Sequence, residues 1–161
     1  MTAFAEPANP PSRRAPLLWA VSALLGWSVV VAAQVVWQVL TPRSGWLHLT
    51  AAVVTAVLVV LEVGVAPVWR YRVHRWQISP EAVFTRTGWL VQQRRIVPIS
   101  RVQTVDTYRG PLDRLFRLAN VTVTTASSAG AVKIVALDNA TADRVVAQLT
   151  DIAALGAEDA T

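Results

Sequence analysis

The side chains with the greatest potential for binding chemistry are arginines concentrated in the middle of the chain. Between Arg70 and Arg117 there are ten arginines and three acidic residues, a net charge of +7, whereas the chain from Leu118 onward has a net charge of −3. A guanidinium presents a planar fork of N–H donors that matches a phosphate or a carboxylate. The basic half is therefore a candidate for contact with anionic lipid or with an acidic protein surface.

Side chains that commonly perform catalysis or bind metals are scarce. The chain has no cysteine, which excludes disulfides, thiolate nucleophiles and cysteine-ligated metals. Its two histidines, His48 and His74, belong to different predicted elements and have no acidic ligand cluster nearby. No glycine-rich phosphate loop is present. We therefore expect a protein that is not an enzyme and that needs no metal or cofactor.

Two long apolar segments precede the basic region. Residues 17–40 contain no ionisable side chain, and residues 46–68 contain only His48 and Glu62. A bilayer core of about 30 Å needs about 20 helical residues, so each segment is long enough to span it. Because only about five residues join them, we predict an antiparallel transmembrane hairpin over residues 17–69.

The distribution of basic residues predicts the orientation of the hairpin. Two arginines precede the first span and three closely follow the second, whereas the connecting loop contains only Arg43. The positive-inside bias therefore places both termini in the cytoplasm. A cleaved signal peptide is the alternative, but its apolar core would be longer than the roughly 15 residues usual for such segments.

One carboxylate, Glu62, lies inside the second span. A carboxylate in hydrocarbon costs roughly 2.5 kcal/mol or more unless it is paired or neutralised. Counted inward from the ends of the spans, Glu62 lies at about the depth of Ser22 to Ser28 on the first span. We expect a protonated or serine-bonded carboxyl group between the helices. The alternative is contact with a polar group of another membrane protein. Gln38 and His48, at similar depth near the outer face, are expected to bond to each other.

Beyond Arg70 the apolar pattern changes from helical to alternating. It predicts strands over residues 71–79, 82–87, 89–97, 102–108, 121–126 and 131–137. The last two form a hairpin in which Gly130 supplies a positive φ. A short helical turn is predicted near residues 112–116, and an amphipathic helix follows the candidate caps Asp138 and Asn139 and ends near Gly156.

These elements predict the fold class: a two-span transmembrane α-hairpin followed by a small α+β domain. The domain, over residues 70–156, is expected to be a bent antiparallel sheet or open barrel with a C-terminal amphipathic helix, in the order of the pleckstrin-homology (PH) architecture. Residues 1–16 contain four prolines and no apolar period, so we predict a disordered cytoplasmic tail there. Residues 157–161 are predicted to be a second disordered tail.

Two neighbouring segments carry a recognisable signature. Residues 97–106 read VPISRVQTVD, and residues 109–126 read RGPLDRLFRLANVTVTTA. They closely resemble the signature of bacterial membrane proteins that carry the bacterial PH domain, the YdbS-like group, and the resemblance covers essentially the whole chain. Arg109 stands where the family pattern has glutamine, and Arg117 stands where it has glycine.

The resemblance implies a membrane-anchored, non-enzymatic module, a multi-pass protein of the bacterial cytoplasmic membrane. It implies action beside a larger membrane protein with related PH-like domains, and a second copy is the alternative partner. Polar side chains in or beside the signature are the partner-binding candidates: Arg101, Gln103, Arg109 and Arg114. Arg101 or Arg114 could instead form an ion pair with Asp106 or Asp113 within the domain.

A second hypothesis is recognition of anionic lipid headgroups by basic residues near the membrane. The candidates are Arg70, Arg72, Arg75, Arg94 and Arg95. Alternatively, the first three only fix the topology. Arg94 and Arg95 are adjacent, so a regular strand directs them to opposite faces. We do not expect a nucleic-acid partner, because an anionic leaflet is a nearer explanation for the positive charge.

Overall fold

The structure, a computed structural model, describes residues 7–88, 91–126 and 130–158. The chain divides into two compact units. One unit is the segment Pro16–Trp69, and the other contains the chain from Arg70 onward together with the segment that ends at Ala15.

The unit Pro16–Trp69 is helical. Helix α1 covers Ala15–Leu40, and a second helical run consists of α2 (Gly45–Val59), a π-helical segment (Val60–Val65) and α3 (Ala66–Val73). Both α1 and the run Gly45–Val73 are long and apolar enough to cross a membrane. Many large apolar side chains on both are exposed, as lipid-facing side chains must be. The predicted two-span hairpin is confirmed.

The second helical run extends further than the sequence predicted. Residues 71–79 were expected to form a strand, but α3 continues to Val73 and the first strand begins at Arg75. The backbone N–H of His74 donates to the Arg70 carbonyl at 2.8 Å, which continues the helical hydrogen-bond pattern. The prediction was wrong for these first residues because a short apolar–polar alternation also fits the last turn of a helix.

Six strands form two three-stranded antiparallel sheets. The first sheet contains β1 (Arg75–Ile78), β2 (Ala82–Gly88) and β3 (Gln92–Pro98), and the second contains β4 (Val102–Tyr108), β5 (Leu118–Thr125) and β6 (Val132–Asp138). A 3₁₀ turn (Ile99–Arg101) joins the sheets, α4 (Pro111–Phe116) joins β4 to β5, and α5 (Asn139–Glu158) follows β6. Trp89, Leu90 and residues 127–129, which belong to predicted strand and turn segments, lie outside the described residues. Gly130 has the expected positive φ, 76°.

The core lies between the inner faces of both sheets and one side of α5. The first sheet contributes buried valines such as Val83 and Val97, and the second contributes a larger apolar group that includes Val121 and Ile134. On α5 the buried residues recur at three and four positions: Ala142, Val145 and Leu149. The predicted α+β domain with a C-terminal amphipathic helix is therefore confirmed.

The chain just before α1 pairs with the edge strands of both sheets. Asn9 and Trp76 exchange backbone hydrogen bonds of 3.0 and 2.9 Å on β1. Ser12 donates its N–H to the Ala136 carbonyl (2.9 Å) and its hydroxyl to Asp138 Oδ1 (2.8 Å) on β6. This segment therefore links β1 to β6.

The pairing differs from the disordered tail expected over residues 1–16. Prolines remove backbone donors, but the N–H groups of Asn9 and Ser12 remain available. Their partners lie far along the chain, so a proline-rich composition carries no signal of the contact. The expectation for residues 1–6 lies outside the described part of the chain. Helix α5 reaches Glu158, slightly beyond the expected end near Gly156.

A bulge in the second sheet is organised by Asn120. The pairing of β5 with β6 shifts register between Ala119 and Val121. Opposite this point, Ala136 adopts a left-handed φ of 54°, and its N–H donates to Asn120 Oδ1 at 2.8 Å. Asn120 Nδ2 in turn donates to Asp113 Oδ2 at 3.0 Å. One side chain thus joins β5, β6 and α4.

Arg117 ends α4 in the left-handed conformation, with φ 58° and ψ 42°. Its N–H donates to the Arg114 carbonyl at 3.1 Å. A side chain with a Cβ is strained in this region by about 1–2 kcal/mol, whereas glycine adopts it readily. Glycine at position 117, which the family resemblance implies for this turn, would adopt this conformation without strain.

Replacing Arg117 with glycine is expected to stabilise the domain. The strain relieved exceeds the additional entropy of the unfolded chain, so the gain should be roughly 0.5–1 kcal/mol. Thermal unfolding of the detergent-solubilised protein, followed by near-UV circular dichroism, measures it. Arg114→Gly, at a right-handed position within α4, is the matched control and should destabilise the domain by about 1 kcal/mol. A destabilised Arg117→Gly protein would contradict the strain argument.

Candidate interaction surfaces

The turn that carries the family signature is held by Asp113. Gly110 at the start of α4 donates its N–H to Asp113 Oδ2 at 2.9 Å, and the same oxygen accepts from Asn120. This carboxylate therefore caps the helix and anchors it to β5. As a result, α4 presents Arg114, its other polar side chain, from a fixed position.

Arg109 and Arg114 line one shallow depression, which we call the Arg109 surface; its lining residues are Thr107, Tyr108, Arg109, Arg114 and Asp143. Arg109 Nη2 donates to Asp143 Oδ1 at 3.0 Å, and these side chains are 37% and 68% exposed. An ion pair this exposed is worth about 0–1 kcal/mol, so a competing carboxylate could displace it. The Arg114 guanidinium makes no hydrogen bond or ion pair with the described residues.

The structure does not bring all four partner-binding candidates together. Arg101 and Gln103 lie at the opposite end of β4 from Arg109, separated by roughly 20 Å of extended chain. Both are exposed. Within residues 7–88, 91–126 and 130–158, neither Arg101 nor Arg114 forms the ion pair with Asp106 or Asp113 that was considered from the sequence. Asp106 accepts instead from Thr104 Oγ1 at 3.2 Å.

A row of three arginines crosses one face of the first sheet. Arg86 on β2 lies directly opposite Arg75 on β1 and Arg94 on β3. This is the outer face, because Thr85, the neighbour of Arg86, is buried on the other side. Like charges directly opposite each other are unfavourable, so this arrangement favours anions or backbone carbonyls nearby. We call these three residues the basic row.

Backbone carbonyls satisfy part of the basic row. Arg75 Nη1 donates to the carbonyl oxygens of Tyr71 and His74, both at 2.9 Å. Arg86 Nε donates to the Val73 carbonyl at 3.0 Å. These carbonyls lie at the C-terminal end of α3, where positive charge is favourable because of the helix dipole. Two arginines of the row therefore also have a structural role.

Apolar side chains lie beside the basic row. Phe84 on β2 is directly opposite Ile96 on β3, and Ile96 is 50% exposed. Cationic and apolar side chains on one surface are typical of proteins that contact the headgroup layer of a membrane.

The structure brings together some of the arginines selected from the sequence and adds one. Arg94 and Arg95 face opposite sides, as expected, since Arg95 lies opposite the buried Thr85 and donates to the Ala131 carbonyl at 3.1 Å. Arg86 was not among the candidates. The turn between β1 and β2 sets their register, which aligns Arg86 with Arg75. Arg70 and Arg72 lie on α3, and Arg72 is exposed.

The hairpin contains polar contacts that differ from those expected. Glu62 accepts from Trp27 Nε1 at 3.0 Å, not from a serine. The His48 imidazole contacts the Thr41 carbonyl at 2.8 Å and is not bonded to Gln38. Counting residues from the ends of the spans located these groups along the helices, but it could not determine which sides of the helices meet. The Glu62 carboxyl lies between the helices, as expected, but it bonds to Trp27 and not to a serine, and the expected Gln38–His48 bond is absent from the described residues.

Comparison with known proteins identifies the family. The family model described as the bacterial PH domain matches residues 15–153. The chain belongs to the bacterial PH domain family. The UPF0699 transmembrane protein YdbS of Bacillus subtilis (strain 168) is 27% identical over 157 residues, which is 96% of this chain and 98% of that protein. No solved structure matches the chain. The resemblance found in the sequence is thus confirmed.

A buried histidine, His74, lies between α3 and β1. Nδ1 of His74 donates to the Arg70 carbonyl at 2.8 Å. Burial lowers the pKa of His74 from its ordinary value; the hydrogen bond to the Arg70 carbonyl opposes this shift, and the Arg70 charge adds to it. The folded domain therefore favours the neutral imidazole.

The stability of the bacterial PH domain should decrease as the pH falls through the histidine range. Because the pKa of His74 is depressed in the folded state, the unfolded chain binds the proton more tightly. The stabilisation of the folded domain by neutral His74 is complete above about pH 6.5, and it is lost as the pH falls through the folded-state pKa of His74. We expect the apparent Tm to drop by a few degrees between about pH 7.5 and 5.5.

Replacing His74 with glutamine should flatten this dependence. His48→Gln, which changes the other histidine, is the control and should retain the wild-type slope. A His74→Gln protein with an unchanged pH profile would show that another group is responsible.

Proposed function

We propose that this protein is a non-enzymatic binding module that engages a second membrane protein through the Arg109 surface. Its two-span hairpin would hold it in the bacterial cytoplasmic membrane, as a multi-pass protein with both termini in the cytoplasm. The observation that carries the proposal is the pair of arginines at the Arg109 surface, one in a weak exposed ion pair and one without a partner among the described residues.

The rigidity of the turn supports a binding role. Asp113 and Asn120 fix α4, so Arg114 can meet a partner with little loss of backbone freedom. Tyr108 on the same surface is 63% exposed. Tyrosine and arginine are enriched among the residues that contribute most to protein interfaces. The partner surface should be acidic, because carboxylates match both guanidiniums.

The family supports a membrane setting but does not identify the partner. The Bacillus relative is named as a transmembrane protein. A larger membrane protein with related PH-like domains is the partner class expected from the family resemblance, and a second copy of this chain is the alternative. Arg101 and Gln103, at the far end of β4, could extend the contact if the partner follows that strand.

Reversing the charge of Arg114 should disrupt partner binding. The full-length protein is extracted from its native membrane in mild detergent, and proteins that co-purify in stoichiometric amount are identified and quantified. Arg114→Glu should reduce recovery of the partner by at least about 10-fold, as expected when an interfacial arginine meets repulsion instead of attraction. Lys133→Glu changes an exposed cation on β6 by the same charge and is the matched control. Full recovery of the partner with Arg114→Glu would contradict the proposal.

Recognition of anionic lipid headgroups is a second candidate function. The basic row, with Phe84 and Ile96 beside it, is the observation that favours it. Hydrogen bonds from Arg75 and Arg86 to helix carbonyls reduce the donors left for a phosphate. The same purification distinguishes the two functions, because recovery of the chain alone with a stoichiometric anionic lipid would favour headgroup recognition.

A further inference from the structure

The carboxyl group of Glu62 lies in an unusual part of the hairpin. The second helical run changes from α to π geometry over Val60–Val65, and Glu62 lies within this segment. Short π segments are rare and frequently occur at functional sites. Trp27 on α1 donates its indole N–H to Glu62 Oε2 at 3.0 Å, which fixes the position of the carboxyl group.

The hydrogen-bonding capacity of Glu62 is only partly used. Several other polar side chains of the hairpin find partners within it; the pairs are Gln34–Thr55, Ser28–Leu25 and His48–Thr41. By contrast, Glu62 is exposed, and its Oε1 has no hydrogen-bond donor among the described residues. A carboxyl group facing hydrocarbon is strongly unfavourable unless it meets a cation or a donor. Glu62 therefore favours an additional partner inside the membrane.

A second copy of this chain does not provide a suitable partner. Residues 17–40 and 46–68 contain no lysine or arginine. His48, the nearest alternative, is separated from Glu62 by about 20 Å along the helix. Two parallel copies would bring carboxyl group to carboxyl group, which is repulsive when both are charged. Charge complementarity therefore indicates a basic side chain from a different protein.

We propose that Glu62, positioned by Trp27 within the π segment, is an intramembrane docking site for a lysine or arginine on a transmembrane helix of another protein. This inference deepens the proposed function and rests on it, since it assumes that the protein engages a second membrane protein. The contact at Glu62 lies within the spans and uses none of the side chains of the Arg109 surface.

A synthetic transmembrane peptide tests the site directly. The full-length protein is reconstituted in phosphatidylcholine vesicles with a Leu/Ala peptide of about 24 residues that carries one lysine at the depth of Glu62. The reference peptide has leucine at that position. Energy transfer between labelled protein and labelled peptide should show that the lysine peptide associates at least about 5-fold more tightly. Equal association of the two peptides would overturn the proposal.

Variants determine whether Glu62 causes the preference. Glu62→Gln should abolish it, whereas Glu62→Asp, which keeps the carboxyl group, should retain it. The exchange V60E/E62V preserves composition but moves the carboxyl group toward the other side of the helix, so it should also abolish the preference. A preference for lysine that persists in Glu62→Gln or in the exchange variant would overturn the proposal.

The peptide experiment separates this inference from the proposed function. Arg114→Glu alters the Arg109 surface and should leave the preference for the lysine peptide unchanged. Loss of partner recovery with Arg114→Glu, together with equal binding of both peptides, would support the Arg109 surface and reject the intramembrane site. If Arg114→Glu leaves recovery of the partner unchanged and the lysine peptide still associates more tightly, the Arg109 surface is rejected and the intramembrane site is supported.

Discussion

Exclusion of water from the bilayer core is the constraint on which the rest of this protein depends. A backbone without water must satisfy its own hydrogen bonds, so both spans are helices and the short connection makes them antiparallel. Because of the same constraint, polar side chains within the spans form hydrogen bonds with one another. Gln34 contacts Thr55, and the indole of Trp27 contacts Glu62. These bonds join the two helices at defined points. They are needed because apolar side chains alone provide little specificity between helices in lipid.

Outside the bilayer, hydrophobic burial again becomes the main driving force, and the alternating strands enclose a core between two sheets and α5. Arginine serves two purposes around this core. Arg75 and Arg86 donate to carbonyls at the end of α3, so their charge contributes to the structure. Arg109 and Arg114 instead line an open depression, where Arg109 donates to Asp143 and Arg114 has no hydrogen-bond partner among the described residues. The same residue type therefore has different roles, which depend on the acceptors that the fold places nearby.

Two residues in left-handed conformation show how the domain accommodates local irregularity. Ala136 lies at the bulge between β5 and β6, and its N–H, which the bulge displaces from the strand pairing, donates to the Asn120 side chain. Arg117 ends α4 and turns the chain directly into β5. Both irregularities connect to the segment that carries the family signature, so the spacing of that signature reflects the geometry of a capped turn followed by a bulged strand.

The sequence by itself determined the features that depend on local periodicity and composition. Apolar length identified the spans, alternation identified the strands, three–four spacing identified α5, and the segment around Gly110 identified the family. The tertiary structure alone decided the side-chain partners, because these depend on which faces meet across long stretches of chain. Trp27 bonds Glu62 from 35 residues away and Ser12 bonds Asp138 from 126 residues away, so no local pattern records either contact. The sequence thus indicated which element each group lies on. It did not indicate the contacts of that group, because the register and the facing sides of the elements are set by the whole fold.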